Sequence, residues 1–283
     1  MNKTIYHYTN ITGLIGIFSG TNNKAGKISI RASSSDYMND PTERVHCVKV
    51  LAELFKIIEA ECKYPHSLYP VFEKITKNDN EKILRWINQH VNILNHNLIA
   101  CFSENRDTLP MWSRYADDGN GIAIGFDLEK LKNSINDSII LNEIVYTNGE
   151  TFPTSTVDLM TAVYKEKYPE IDWNTQDSID DLMYGAINYF SNIFKNPAYS
   201  YEKEVRLVKS IPKIQNQIQF REARGLIVPY IDIEIDSDCV SEIIVGPTKN
   251  FTTSKRSIKE YIFRTGRMCG CDSIIVSSDI PYR

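Results

Sequence analysis

The sequence predicts one α+β domain in which helices cover a mixed β-sheet. Its 283 residues suit one large domain, and a hydrophobic content of 42% is enough for a packed core. Stretches with strand-like alternation fall mostly toward the two ends of the chain, whereas stretches with helical periodicity are inserted between them. This arrangement favours a sheet with helical insertions over the regular strand–helix repeat of a doubly wound fold.

The N-terminal part of the chain predicts a strand, a helix and a second strand. TIYHYT, residues 4–9, alternates like a short strand. Apolar side chains between Ile11 and Phe18 then recur at helical spacing. After a turn rich in Gly and Asn, KISIRAS, residues 27–33, is the second strand candidate.

A helix start is predicted at residues 39–43, Asn-Asp-Pro-Thr-Glu. Asp40 can cap the helix, Pro41 suits the first helical position, and Glu43 completes a capping box. Capping alone explains these three residues without any ligand. Asn39 is left without such an explanation, and it is a candidate for lining a binding site.

Two helical blocks interrupt the strands, at about residues 45–97 and about 156–196. We expect both blocks to surround the sheet rather than to supply its strands, and to control access to a binding site. The remaining elements are mostly strands. They are expected at 98–103, 121–126, 139–147, 204–208, 218–222, 224–235, 240–247 and 272–278, with helices at 112–115 and 252–265.

Composition argues against several classes of protein. A net charge of −4 gives no basic field for nucleic acid or anionic membranes, so nucleic-acid binding would need a local basic patch. No apolar run approaches the ~20 residues of a membrane span, and the first residues lack a signal-peptide core. Six scattered cysteines lack the paired spacing of a zinc site. We therefore predict a cytoplasmic protein with reduced thiols and no metal.

Two carboxylates and an arginine stand together at the start of a late strand. In YSYEKEVRLVKS, residues 199–210, alternation turns Val205 and Leu207 toward the core. Glu202, Glu204 and Arg206 then point the other way. The group is either a solvated charged face or the rim of an active site.

A polar insert between two predicted strands carries two large aromatic residues. Trp112 and Tyr115 lie one helical turn apart, within residues 100–127. Large aromatic side chains are costly to leave exposed in a loop. We interpret Tyr115 as one wall of a flat binding slot and Trp112 as the anchor of its helix. The alternative is that both residues only pin the loop.

The order of these groups resembles the ADP-ribosyltransferase superfamily, in its His-Tyr-Glu branch. His7-Tyr8-Thr9 occupies the first strand, Phe102-Ser103 ends a later strand, Tyr115 follows in the insert and Glu204 opens a late strand. The resemblance implies a split mixed sheet and an enzyme that transfers ADP-ribose from NAD. Glu202 and Glu204 also resemble the paired glutamates of the arginine-modifying branch, but the position of His7 favours the first branch.

The resemblance also implies roles for individual residues. Glu204, His7 and Tyr115 would be catalytic. NAD, as the substrate, would contact ten residues. They are His7, Tyr8, Thr9, Arg31, Phe102, Ser103, Trp112, Tyr115, Glu202 and Arg206. Nicotinamide would stack on Tyr115, and Glu204 would stabilise the developing oxocarbenium ion. The guanidinium of Arg206 or Arg31 would hold the pyrophosphate.

The four central side chains are therefore expected to converge on one cleft. They are His7, Ser103, Tyr115 and Glu204. Their order along the chain and their strand contexts are the basis of this expectation.

The whole chain also resembles a widespread bacterial family of uncharacterised proteins. The shared motifs are His7–Thr9, Asn39–Glu43, Phe102–Tyr115, Gly121–Phe126, Glu202–Arg206 and Ile280–Arg283. Their bacterial setting implies a toxin or a phage-defence effector, with an acceptor that the sequence does not identify. Two other interpretations stay open: a sensor that binds a nucleotide-like ligand without catalysis, and an RNA-directed toxin that does not use NAD.

Overall fold

The computed structural model describes residues 3–19, 26–37, 42–90, 95–212, 217–223, 225–266 and 271–281. The strands are β1 (Thr4–Thr9), β2 (Lys27–Ser34), β3 (Asn95–Ser103), β4 (Ile122–Asp127), β5 (Ile139–Glu143), β6 (Val145–Tyr146), β7 (Phe194–Lys195), β8 (Glu204–Pro212), β9 (Gln219–Ala223), β10 (Leu226–Asp236), β11 (Val240–Val245) and β12 (Ile275–Ser277). The α-helices are α1 (Ile11–Ser19), α2 (Glu43–Cys62), α3 (Tyr69–Thr76), α4 (Asn80–His90), α5 (Leu109–Tyr115), α6 (Leu128–Ser134), α7 (Thr154–Lys167), α8 (Gln176–Phe190) and α9 (Phe251–Thr265).

The chain forms a single domain of mixed helix and strand with a mixed sheet, as the sequence predicts. Ten of the described strands belong to the main sheet, and β6 and β7 form a separate parallel pair. Most neighbours in the main sheet are antiparallel, while β11 and β12 are parallel.

The main sheet forks at β3. β8 pairs antiparallel with β3 over the whole length of that strand. β1 and β2 also pair with β3, at Tyr6↔Ser103 and at Ser33↔Ile99. Because β8 fills one edge of β3, both strands must lie on the other edge. Two arms, β1-β4-β11-β12 and β2-β10-β9, therefore separate along β3 between residues 99 and 103.

One face of the main sheet is covered by α1, α6 and α9. Val205 and Leu207 of β8 lie in this core, as their alternation predicts, together with Phe102 of β3. The opposite face of β8 meets a second layer, which we call the helical layer. It consists of α2, α3, α4, α7, α8 and the β6–β7 pair, and it has a hydrophobic core of its own. No helix among the described residues is both long and apolar enough to span a bilayer.

Some local features differ from the predictions. Helix α6 was not predicted, although Asp127 caps it by accepting the N–H groups of Glu129 and Lys130. β3 begins at Asn95, just inside the first predicted helical block, and β7 lies inside the second block. The predicted cap Asp40, the predicted first helical residue Pro41 and Asn39 lie outside the described residues. So do Tyr282 and Arg283 at the chain end.

Candidate functional site

The helical layer meets the sheet at a group of five buried ionisable side chains, which we call the buried charge cluster. Its members are Glu43, Lys195, Glu202, Glu204 and Arg206, and their exposed fractions lie between 1% and 7%. Charged groups are almost never buried this deeply unless they are paired. The predicted alternative of a solvated charged face is therefore wrong for Glu202, Glu204 and Arg206.

Arg206 and Glu204 form the most enclosed pair of the cluster. The Arg206 guanidinium donates from Nε to Glu204 at 2.8 Å and from Nη2 at 3.0 Å, and Nη2 also donates to Glu43 at 2.5 Å. Burial alone would raise the pKa of Glu204, but Arg206 and Lys195 lower it to about 2. The predicted phosphate-binding role of Arg206 does not fit this geometry, because a phosphate would have to displace Glu43 or Glu204.

Lys195 joins the two glutamates of the late strand. Its Nζ donates to Glu202 at 2.6 Å and to Glu204 at 2.7 Å, and it lies 5.1 Å from the ring centroid of Tyr199. Burial opposes the charged form, yet the two carboxylates raise the pKa of Lys195 above its ordinary value. The neighbouring Phe194 is anchored in the helical-layer core. Lys195 was not among the predicted site residues, because nothing in its local sequence distinguishes it from a surface lysine.

Glu43 contributes a third carboxylate from the start of α2. The sequence predicts a helix-capping role for it, but its carboxylate instead accepts from Arg206, and no side-chain cap is formed at Thr42, the residue before the helix. Burial raises the pKa of Glu43, against the opposing effect of the Arg206 charge. Glu43 therefore links the helical layer to the sheet.

Tyr115 reaches the cluster through Glu202. Its hydroxyl donates to Glu202 Oε1 at 2.7 Å, although the two residues are 87 positions apart. The Ser103 hydroxyl donates to the backbone carbonyl of Glu202. Glu202 precedes β8 in a 3₁₀ turn, and Lys203 adopts a left-handed conformation with φ of 42°. Glu202 therefore lies in the turn and not in the strand, and both it and Glu204 still contact Lys195.

Trp112 and Tyr8 anchor the helix that carries Tyr115. Trp112 is fully buried, and its indole Nε1 donates to Asp107 at 2.5 Å. Its ring meets Tyr8 edge-on, with 5.0 Å between centroids. The Tyr8 hydroxyl donates to the Asn105 carbonyl. The structure gives both aromatic residues a packing role, so the predicted contacts of Trp112 and Tyr8 with a ligand do not fit.

His7 does not converge with the other predicted catalytic residues. Tyr6, Ser103 and Glu204 share one face of the sheet, because each is directly opposite the next across neighbouring strands. His7 follows Tyr6, so its side chain lies on the other face, with Phe102 at 5.8 Å between ring centroids. The expectation of one cleft lined by all four side chains is therefore wrong in this respect.

The imidazole of His7 fills the gap at the fork. Its Nδ1 lies 2.9 Å from the backbone carbonyl of Cys101, within the stretch of β3 between the two arms. A carbonyl only accepts hydrogen bonds, so Nδ1 carries the proton and donates it. Burial lowers the pKa of His7, which favours this neutral form.

Arg31 and Thr9 lie on different arms of the fork. The Arg31 side chain is partly exposed, 3.5 Å from Asp232 and 5.1 Å from the ring centroid of Tyr230. Thr9 lies against the first turn of α1, where a Cβ added to Gly13 would overlap the Thr9 hydroxyl. Of the two arginines predicted to bind pyrophosphate, Arg31 is the accessible one.

The electrostatics of the buried charge cluster favour a nearby positive charge. Counted by residue type, three carboxylic side chains and two basic ones give the cluster a formal charge of −1 in a buried site. Such a site stabilises a cation that forms beside it. Among the described residues, no three His, Cys, Asp or Glu side chains are placed to hold one metal ion.

The low pKa of Glu204 predicts that the free energy of unfolding decreases in acid. Its pKa falls from 4.5 to about 2 on folding, so its carboxylate stabilises the fold above the unfolded value, and this contribution is lost as the pH falls from about 5 toward 2. The size is about 3 kcal/mol. Glu43, with a raised pKa, acts in the opposite direction and offsets part of it.

Urea unfolding between pH 3 and pH 7 tests this prediction. In Glu204→Gln the free energy of unfolding should decrease less steeply as the pH falls than it does in the wild type. Glu260→Gln, an exposed control on α9, should show the same pH dependence as the wild type. Equal slopes in wild type and Glu204→Gln would contradict the prediction.

The comparisons with known proteins cover part of this site. Residues 111–207 match the model of a family described as "Protein of unknown function (DUF2971)". Comparison with curated proteins and with solved structures found no match. The matched segment contains Tyr115 and, apart from Glu43, the whole buried charge cluster. Over about a third of its length the chain is thus similar to a family of uncharacterised proteins, which fits the resemblance expected from the sequence.

Proposed function

We propose that this protein breaks the bond between nicotinamide and ribose in NAD and transfers the ADP-ribose to an acceptor or to water. The observation that carries the proposal is the 2.7 Å hydrogen bond from the Tyr115 hydroxyl to the Glu202 carboxylate. It unites an aromatic side chain of the insert with a carboxylate at the start of a late strand. The resemblance to ADP-ribosyltransferases placed Tyr115 in one cleft with Glu204, and the contact that supports the proposal is to Glu202, two residues earlier.

The contacts favour Glu202 over Glu204 as the catalytic carboxylate. Glu204 is occupied by Arg206 on both oxygens and by Lys195. Glu202 accepts from the Tyr115 hydroxyl and from Lys195, and the Tyr201 hydroxyl also contacts it, so it is held by one charged donor instead of two. Both carboxylates are buried, with Glu202 3% and Glu204 6% exposed, so the choice between them rests on their hydrogen bonds and not on exposure. We therefore assign Glu204 a structural role and transfer its predicted chemical role to Glu202.

The proposed reaction needs little beyond this carboxylate. As the glycosidic C–N bond breaks, its electron pair leaves with nicotinamide and the ribose carbon gains positive charge. The negative Glu202 stabilises that charge. The acceptor oxygen or nitrogen then bonds to the same carbon and gives its proton to Glu202. Lys195 holds the carboxylate in place throughout, and the Tyr115 ring provides a wall for nicotinamide.

His7 enters this proposal from the opposite face of the sheet. Its ring fills the gap between the arms and is hydrogen-bonded to the Cys101 carbonyl, so it would contact NAD only from that face. Arg31, on the second arm, is the candidate partner for the pyrophosphate. Ser103 acts on the backbone of Glu202 rather than on NAD.

Release of nicotinamide by the purified full chain tests the proposal. Tyr115→Phe keeps the ring but removes the hydroxyl, so the KM for NAD should change little and kcat should fall about tenfold, the loss of one hydrogen bond to a charged group. Tyr115→Leu removes the ring as well and should also raise KM.

Binding of NAD, followed by calorimetry, separates the outcomes. Binding without nicotinamide release, with every acceptor class and water, would contradict catalysis and favour the sensor interpretation. Absence of both binding and release would remove NAD from the proposal altogether.

A further inference from the structure

A segment near the chain end is bonded to the loop before α5 through one carboxylate, that of Asp107. Its Oδ1 accepts hydrogen bonds from the Trp112 indole at 2.5 Å and from the Ser278 hydroxyl at 2.8 Å. Its Oδ2 accepts one from the Asp279 backbone N–H at 2.7 Å. One side chain therefore joins the segment after β12 to the helix that carries Tyr115.

The same segment packs beside that helix. Ser278 donates its backbone N–H to the Val245 carbonyl at 2.9 Å, and its hydroxyl accepts the Ile280 N–H at 3.1 Å. Ile280 and Tyr115 both pack against the small hydrophobic cluster that contains Trp112. The segment is thus fixed to the sheet on one side and to α5 on the other.

Helix α5 depends on contacts of this kind. It has seven residues and no side-chain cap at its N-terminus, and a helix this short is not stable alone. Its orientation is therefore set by tertiary contacts, of which those of the fully buried Trp112 are the deepest. Tyr115 lies one turn further on, so a shift of Trp112 also moves the Tyr115 hydroxyl relative to Glu202.

We propose that Asp107 and Ser278 are positioning residues that fix α5 and thereby hold Tyr115 at Glu202. The Asp107 Oδ1 accepts from Trp112 on one side of this junction and from Ser278 on the other, and its Oδ2 accepts from Asp279. The Ser278 hydroxyl bridges Asp107 and Ile280. The catalytic consequence rests on the proposed function. The placement of α5 does not, and it can be measured without any substrate.

Two variants and a matched control test the placement. Ser278→Ala removes the bridging hydroxyl. Asp107→Asn replaces one of the two carboxylate oxygens by an NH₂ group, which cannot accept a hydrogen bond from the Asp279 N–H. Ser277→Ala is the control, since that hydroxyl is exposed and, among the described residues, donates to the Ser278 carbonyl and not to Asp107. The chain has three tryptophans, so nitrogen-resolved NMR gives three indole signals, and Trp112→Phe identifies the relevant one. We expect this signal to shift in both variants and to stay in the control.

Enzyme kinetics then tests whether a displacement of α5 also changes the proposed NAD site at Tyr115. In Ser278→Ala the KM for NAD should rise about tenfold with a smaller change in kcat, because α5 presents the ring that binds nicotinamide. A purely structural role would lower the melting temperature and leave KM unchanged in the folded protein. An unmoved Trp112 signal in both variants overturns the inference, and so does a moved signal with an unchanged KM.

The inference is tested separately if the proposed function fails. Should the wild type release no nicotinamide, the aromatic signals of Tyr115, assigned with Tyr115→Phe, take the place of KM. Movement of those signals in Ser278→Ala and Asp107→Asn, but not in Ser277→Ala, supports the positioning role. Unmoved Tyr115 signals overturn it.

Discussion

Glutamine in place of Glu202 is expected to slow nicotinamide release by about 100- to 1000-fold, with the KM for NAD nearly unchanged. Glutamine keeps the shape of the side chain and can still accept a hydrogen bond from Lys195 or Tyr115. It has no negative charge with which to stabilise the cation at the ribose, and it cannot take a proton from the acceptor. The loss should therefore appear in kcat.

Glu204→Gln is the matched comparison for this prediction. It removes the same charge two residues away, but from a carboxylate enclosed by Arg206 and Lys195. We expect it to lower the melting temperature more than Glu202→Gln and to cost less turnover per folded molecule. The reverse pattern, with lost turnover in Glu204→Gln and normal turnover in Glu202→Gln, would restore the assignment made from the sequence.

Methionine in place of Arg206 is expected to lower the free energy of unfolding by about 3–5 kcal/mol. The substitution fills a similar volume but leaves Glu204 and Glu43 buried without the cation that pairs with both. An uncompensated buried charge is costly, whereas the loss of a surface pair is not.

Urea unfolding at pH 7 measures this effect. Arg264→Met is the control, because Arg264 pairs with Glu260 on the exposed face of α9, and its removal should change the free energy of unfolding by about 0–1 kcal/mol. A change of similar size in both variants would show that the Arg206 pair contributes no more than a surface pair does.

Much of the fold followed from local pattern. The alternation around Val205 and Leu207 predicted which face of β8 enters the core, and the spacing of Trp112 and Tyr115 predicted a short helix with one buried anchor. Both predictions rest on periodicity, which is a property of a single element.

Properties that depend on two distant elements were not predictable in the same way. Glu43 has a sufficient local explanation as a helix cap, which concealed its contact with Arg206, 163 positions away. Lys195 lies in a two-residue strand without any motif. The left-handed Lys203 ended the alternation that had placed Glu202 in the strand, and the face of His7 depended on the register of β1 against β3.

The junction between the helical layer and the sheet contains buried ion pairs, so its strength is expected to depend on temperature. In the buried charge cluster, the contacts across this junction run from Glu43 and Lys195 to Glu202, Glu204 and Arg206. The cost of removing charges from water falls on heating, because their hydration carries a strongly negative entropy. Apolar burial acts in the same direction, because it weakens on cooling. The free energy that attaches the helical layer to the sheet should therefore be smaller at low temperature than at high temperature.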